Sequence, residues 1–222
     1  MKITLGTTYF ENPNYLLRFL NLHLDKVDEL IIVDDYSTNY PALKYIPSDE
    51  KIKLYRVTKN YGFNSHGCRN LIMNQSKNDW VCLIDIDREF HNNGKDLLKI
   101  YETTLEDNVL YKFPTHFSFF GNGIHQSVND FIIHKNLFNS VGGYDEEFVG
   151  YRTGDRQLFA QISNFGFIKT LLEINLIYTR AATEDIFDVY NPPKKIKELV
   201  EARIMNPDRN KKNLTFSWER VM

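Results

Sequence analysis

The acids of this chain stand where they could hold a cation and a diphosphate. Asp85 and Asp87 follow directly on the apolar run Trp80-Val81-Cys82-Leu83-Ile84, with only Ile86 between them. Alternate residues of a strand point the same way, and the carboxyl ends of strands in open α/β sheets are where ligands bind, so the pair reads as a site for a divalent cation and a diphosphate. Taken alone, an acid-x-acid triplet also serves to cap a following helix. A second acidic pair, Asp34-Asp35, ends the apolar run from Glu29 to Val33. A carboxylate there can accept the imino proton of a pyrimidine or a ribose hydroxyl; the plainer alternative is a turn built by Asp34-Asp35-Tyr36-Ser37. Between the pairs lies the polar, Gly-containing segment Asn60-Tyr61-Gly62-Phe63-Asn64-Ser65-His66-Gly67-Cys68-Arg69-Asn70. Arg69 falls in the first turns of a helix, where its guanidinium fork suits a phosphate or a loop carboxylate such as Asp35.

These residues need a scaffold, and the hydrophobic pattern supplies one. Ile3 to Thr8, Glu29 to Val33, Ile52 to Val57 and Trp80 to Ile84 read as strands. They alternate with helices over Asn14 to Leu24, Ser65 to Ser76 and Gly94 to Leu105. That alternation implies an α/β fold with a mostly parallel sheet covered on both faces. After residue 108 the pattern changes. Val109 to Phe113, Phe117 to Phe120 and Phe131 to His134 read as strands of a more mixed half, followed by a helix over Asp155 to Asn164 and short strands near Ile168 and Ile174 to Tyr178. From Asn191 the chain turns basic and polar, with a helix over Ile196 to Met205.

Composition narrows the classes. The 222 residues are 42% hydrophobic, enough for one substantial core, and the formal net charge of −2 speaks against general nucleic-acid binding. Cys68 and Cys82 fall in a helix and an apolar strand, which implies neither a disulfide framework nor a thiolate metal cluster. No signal peptide or membrane span is evident, so a cytoplasmic protein is expected, with peripheral contact of the basic tail on an anionic membrane left open. The histidines, His23, His66, His91, His116, His125 and His134, show no metal-ligand spacing and are expected to be structural or exposed.

Thr7-Thr8-Tyr9, Val33-Asp34-Asp35-Tyr36-Ser37, the Asn60-x-Gly62 to Arg69-Asn70 loop and helix, and Asp85-x-Asp87 together resemble the family 2 glycosyltransferases over about Ile3 to Ile168. A fourth component is Val141-Gly142-Gly143-Tyr144-Asp145-Glu146-Glu147-Phe148 followed by Gly154-Asp155-Arg156. The resemblance implies the GT-A fold, a nucleotide-diphospho-sugar transferase architecture with a mixed acceptor-side half. It divides the chain into a transferase domain over 1–190, with a donor half of about 1–107 and an acceptor half of about 108–190, and a basic helical appendage over 191–222. It further implies an inverting transfer from a nucleotide-diphosphate sugar, a UDP-sugar as the first choice, to a saccharide or glycoconjugate hydroxyl. Asp155 would be the catalytic base, with Asp145 the alternative. Thr8, Asp35, Arg69 and Asp85 would form the nucleotide pocket, Asp85 and Asp87 would hold Mn2+ or Mg2+, and Gly142-Gly143 would turn over the sugar or acceptor. The family pattern carries Glu-Asp where this chain has Gly154-Asp155, which leaves acceptor positioning open. Other readings are a sugar nucleotidyltransferase, for which Leu5-Gly6-Thr7-Thr8-Tyr9-Phe10 lacks the expected basic Gly-rich signature, and an inactive carbohydrate-binding protein on the same fold.

Overall fold

A computed structural model describes residues 1–117, 124–151, 153–178, 193–205 and 213–222, without the side chains of 117 and 124–128. The strands are β1 Ile3–Tyr9, β2 Glu29–Asp34, β3 Ile52–Val57, β4 Trp80–Leu83, β5 Arg88–Phe90, β6 Val109–Phe117, β7 Ile124–His134, β8 Phe167–Thr170, β9 Leu176–Tyr178 and β10 Trp218–Arg220. The helices are α1 Pro13–His23, α2 Ser65–Gln75, α3 Leu98–Glu102, α4 Lys135–Ser140, α5 Gly154–Ser163 and α6 Lys194–Met205.

The sheet runs β10-β3-β2-β1-β4-β7-β6-β9-β5, with β8 also paired to β6. β3, β2, β1 and β4 are parallel, whereas β7 runs antiparallel to β4 and β6 antiparallel to β7. The chain leaves β1 toward β2 on one side and returns to β4 on the other. The crevice outside the carboxyl ends of β1, β2 and β4 is therefore the place such a sheet offers a ligand.

Strand residues divide by alternation. Leu30 and Ile32 face one apolar cluster with Leu16, Phe19 and Leu20 of α1, while Ile31 and Val33 face a second with Cys68, Leu71 and Ile72 of α2. A sheet buried on both faces gives near-continuous apolar runs, which is why β2 is buried throughout. Helix α1 starts where Asn12 caps it, its side chain accepting from the Tyr15 amide, with Pro13 in the first turn.

Several elements differ from the sequence reading. The helix expected over Gly94 to Leu105 begins as a 3-10 turn over Lys95–Leu97, entered from left-handed Gly94, and its α-helical part is only Leu98–Glu102. β6 changes register between Lys112 and Pro114, where a proline cannot donate to the ladder. Of the expected Phe117 to Phe120 strand, Phe117 ends β6 and the rest lies outside the described residues. In the basic tail, where the sequence pattern predicts only a helix, the structure also has strand β10. Its pattern is too short to show alternation, yet it pairs antiparallel with β3 and closes that edge of the sheet.

Candidate active site

The first acidic loop splits into two carboxylates with different surroundings. Asp34 accepts the amides of Ser37 (2.7 Å) and Ala42 (2.8 Å), so it builds the turn. Asp35 directs Oδ2 to the Asn64 amide at 2.9 Å, joining the end of β2 to the start of α2. Its Oδ1 makes no hydrogen bond of ordinary geometry among the described residues, although the Cys68 thiol lies beside it. Among the described residues, the side-chain Oδ1 and Nδ2 of Asn64 are likewise buried without a partner. Burial pushes the Asp35 carboxyl up to about 7, against the pull of the Asn64 amide. Half-buried Thr8 pairs in register with Val33, and the Asp35 amide donates to Tyr9 O at 2.9 Å, so Thr8 and Asp35 occupy adjoining strand ends.

The second acidic loop is held by guanidinium groups. Arg69 Nη2 lies 2.6 Å from Asp85 Oδ1, and Asn129 Nδ2 donates to Asp85 Oδ2 at 3.0 Å. Arg69 thus pairs with Asp85 rather than with Asp35. Arg88, unremarked in the sequence, reaches Asp87 (3.0 Å) and the fully buried Asp130 (3.2 Å) while lying over the Tyr178 ring at 4.0 Å. Asp130 also accepts the Asp85 amide at 2.9 Å. Burial opposes charge on Asp85, but Arg69 and Arg88 outweigh it and hold its carboxyl below the usual range. Burial, with Asp85 as a like-charged neighbour, pushes that of Asp87 up despite Arg88.

Across the crevice, Arg69 Nη1 donates to Asn129 O (2.6 Å) and to the Tyr144 hydroxyl (3.0 Å), and lies 3.6 Å from Asp155 Oδ1. The Tyr144 hydroxyl donates to that same Asp155 oxygen at 2.7 Å. Asp85 and Asp155, seventy residues apart by their numbers, are therefore bridged by one arginine. Burial raises the Asp155 carboxyl, opposed by Arg69 and the Tyr144 hydrogen bond. Asp145, the alternative base, is buried against Arg203 (3.2 Å) and accepts the Glu147 amide, which are structural duties.

The Gly142-Gly143 turn takes left-handed backbone at both residues, with φ of 79° and 67°. Asn70 holds the turn onto α2: it accepts the Tyr144 amide at 2.9 Å and donates to Tyr144 O and Glu146 Oε1 at 2.9 Å. Adjacent Arg69 and Asn70 thus serve the crevice and the turn respectively. Glu146 also accepts the amides of Leu214 and Thr215, which docks the final segment.

The sequence of residues 6–165 matches the model of the family described as Glycosyl transferase family 2. The chain belongs to that family. Solved structures place this glycosyltransferase domain in the GT-A fold. S. aureus TarS 1-349 matches with TM-score 0.64 and 18% identity, covering 93% of this chain and 71% of that one. GalNAc-T7 with UDP, GalNAc and Mn2+ matches at 0.69 and 11%, covering 92% and 47%. The mannosyltransferase PcManGT from Pyrobaculum calidifontis with GDP-Man and Mn2+ matches at 0.62 and 13%, covering 93% and 70%. The chain thus spans about half of the length of GalNAc-T7. A search of curated protein sequences finds no match.

Among the described residues, no three ligating side chains are gathered as a ready metal cage. The donor chemistry nevertheless fits a hard divalent cation. Among the described residues, the direct ion pairs of the crevice set Asp85, Asp87, Asp130 and Asp155 against Arg69 and Arg88, a carboxylate-rich cluster whose oxygens suit such a cation. Among the described residues, no helix is long and apolar enough to cross a membrane.

Proposed function

We propose that this family 2 domain is a metal-dependent, inverting glycosyltransferase. It moves one sugar from a nucleotide-diphosphate donor, a UDP-sugar first among them, to a hydroxyl of a saccharide or glycoconjugate. The observation that carries the reading is the Arg69 bridge between Asp85 on the nucleotide side and Asp155 across the crevice. The ligands printed for GalNAc-T7 and PcManGT, a nucleotide or nucleotide sugar with Mn2+, agree with it. In this reading residues 1–107 are the donor half, 108–190 the acceptor half, and 191–222 a basic tail whose end joins the sheet; a cytoplasmic location belongs to the same proposal.

Asp35 accepts a hydrogen-bond donor of the base through Oδ1, and Thr8 lines the adjoining strand end. Asp85, fixed by Arg69 and Asn129, orients the ribose side. Asp87 and Asp85 would hold Mn2+ or Mg2+, which when bound supplies positive charge to a departing diphosphate. Asp155 takes the proton of the acceptor hydroxyl as its oxygen bonds to the anomeric carbon, the bond from that carbon to the diphosphate oxygen breaks, and the electron pair leaves with the nucleotide. A carboxyl whose proton affinity is raised by burial is suited to this step. In-line attack from the face opposite the diphosphate inverts the anomeric centre.

The test is release of nucleotide diphosphate from a panel of UDP- and GDP-sugars with and without Mn2+, since slow transfer to water reports a donor without knowledge of the acceptor. Metal-dependent release from one donor, lost in Asp155→Asn with donor affinity kept, is the expected result. Release of pyrophosphate from a nucleoside triphosphate instead would identify a nucleotidyltransferase.

A further inference from the structure

Tyr144 is an unusual neighbour for a base. Its ring is fully buried, its hydroxyl donates to Asp155 Oδ1 at 2.7 Å, and the same hydroxyl accepts from Arg69 Nη1 at 3.0 Å. The direction of its hydrogen bonds is thereby fixed, because the arginine can only donate and the carboxylate accepts. The ring is itself held on two sides: Asn70 binds the Tyr144 backbone at both N and O, and the His66 imidazole stacks on the ring at 5.3 Å and 24°.

His66 also accounts for Gly154. A Cβ built on Gly154 would lie 2.4 Å from His66 Nε2 and 2.5 Å from Cδ2, far inside contact distance, and the histidine is itself buried at 2% exposure. The place beside Asp155 where the family pattern has a glutamate is filled by the ring that braces Tyr144.

We propose that Tyr144 is the positioning residue of the transfer reaction, with His66 as its brace: the phenol holds Asp155 Oδ1 so that Oδ2 is presented to the acceptor hydroxyl. The inference rests on Asp155 being the base. It assigns the contribution of the missing glutamate to an aromatic pair from the two halves of the crevice. It also explains why Gly154 carries no side chain, since anything larger would displace His66 and with it the plane of Tyr144.

Tyr144→Phe removes only the hydroxyl and keeps the ring on which His66 stacks. The experiment compares this variant, Asp155→Asn and the double variant in Mn2+-dependent release of UDP from the UDP-sugar hydrolysed by the parent enzyme. A crystal structure of Tyr144→Phe accompanies them. A charge-assisted hydrogen bond of this kind predicts a kcat lower by ~10- to 100-fold with the donor KM within about twofold, and no further loss when Asp155 is already Asn. In the crystal the Asp155 carboxylate leaves its present place. A Tyr144→Phe enzyme with parental kcat, or with Asp155 unmoved, overturns the proposal and leaves the base assignment standing. A fully active Asp155→Asn enzyme overturns the base assignment, and the proposal with it. If no UDP-sugar is hydrolysed, the crystal comparison alone decides it.

Discussion

The two acidic loops at the mouth of the sheet are tied down by different means. Behind β2, Asp34 is held by the amides of Ser37 and Ala42, and Asp35 by the amide of Asn64. Behind β4, Asp85 and Asp87 are held by the guanidinium groups of Arg69 and Arg88. Amides are fixed by the backbone and cannot move without unfolding it, whereas guanidinium groups sit on long side chains and can yield to another cation. The first loop is therefore the more rigid template, which in the proposed function would meet the base. The second is a cluster of side-chain charges, which in the proposed function would receive the diphosphate and its metal.

Breaking the guanidinium-held loop should give the largest effect. Asp87→Asn should weaken Mn2+ binding, followed by electron paramagnetic resonance of the free ion, and lower donor turnover by ~100-fold or more if metal and diphosphate meet there. Thermal stability should change little or rise, because the carboxyl of Asp87 is already disfavoured as an anion by burial and by Asp85. An Asp87→Asn protein with parental Mn2+ affinity would place the cation elsewhere.

Breaking the template instead should act on folding. Asp34→Ala leaves the Ser37 and Ala42 amides without their acceptor in a buried turn, at a cost of about 2–4 kcal/mol in urea unfolding. Nucleotide affinity should fall only to the extent that Asp35 is displaced. A neutral outcome would mean that water replaces the carboxylate in a turn more open than it looks.

Much of this arrangement is legible from residue order, and the reason is geometric. A parallel strand that ends in acids announces the edge where those acids emerge, so Thr8, Asp35, Asp85 and Asp87 fall beside the switch between β1 and its two neighbours. Arg69 is legible as a candidate site residue but its partner is not: choosing Asp85 over Asp35 depends on how α2 lies across the sheet. Arg88, Asp130 and Asn129 carry no local pattern that marks their partners, and Tyr144, although it lies in the Gly142-Gly143-Tyr144-Asp145-Glu146 segment, carries none that marks its hydroxyl as the partner of Asp155. Asp130 alone leaves a trace, as an acid that directly precedes the apolar run Phe131-Ile132-Ile133 and is fully buried. β10 escapes because edge pairing of three residues depends on the exposed side of β3, not on anything within Trp218–Arg220.

The template also makes a prediction in pH. Burial raises the Asp35 carboxyl to about 7, so the folded protein holds a proton between the unfolded value near 4 and about 7 that the unfolded chain has lost. Stability should fall as pH rises through that window, and Asp35→Asn should abolish that part of the dependence and be the more stable protein at pH 8. UDP affinity should move the opposite way if Asp35 accepts from the base as a carboxylate, increasing up to ~10-fold between pH 6 and 8 in calorimetric titration. Equal affinity across that range would separate Asp35 from base recognition.

The smallest effect sharpens the same contrast from the edge of the template. Glu11 accepts the amides of Thr38 (2.6 Å), Asn39 (3.1 Å) and Tyr40 (2.8 Å), fastening the loop after β2 to the end of β1. Burial works against its charge, but these three amides prevail and lower its carboxyl below the usual range. A lowered carboxyl contributes stability that is present above its unfolded value and lost as pH falls through its folded one. Glu11→Gln keeps an acceptor oxygen and loses the charge, so the expected cost is about 1 kcal/mol at pH 7, shrinking toward pH 3. Thermal melts of the two proteins should therefore converge in acid. Melts that stay parallel down to pH 3 would mean that shape rather than charge binds this loop, and that amide-held acids here differ from guanidinium-held ones less than their geometry implies.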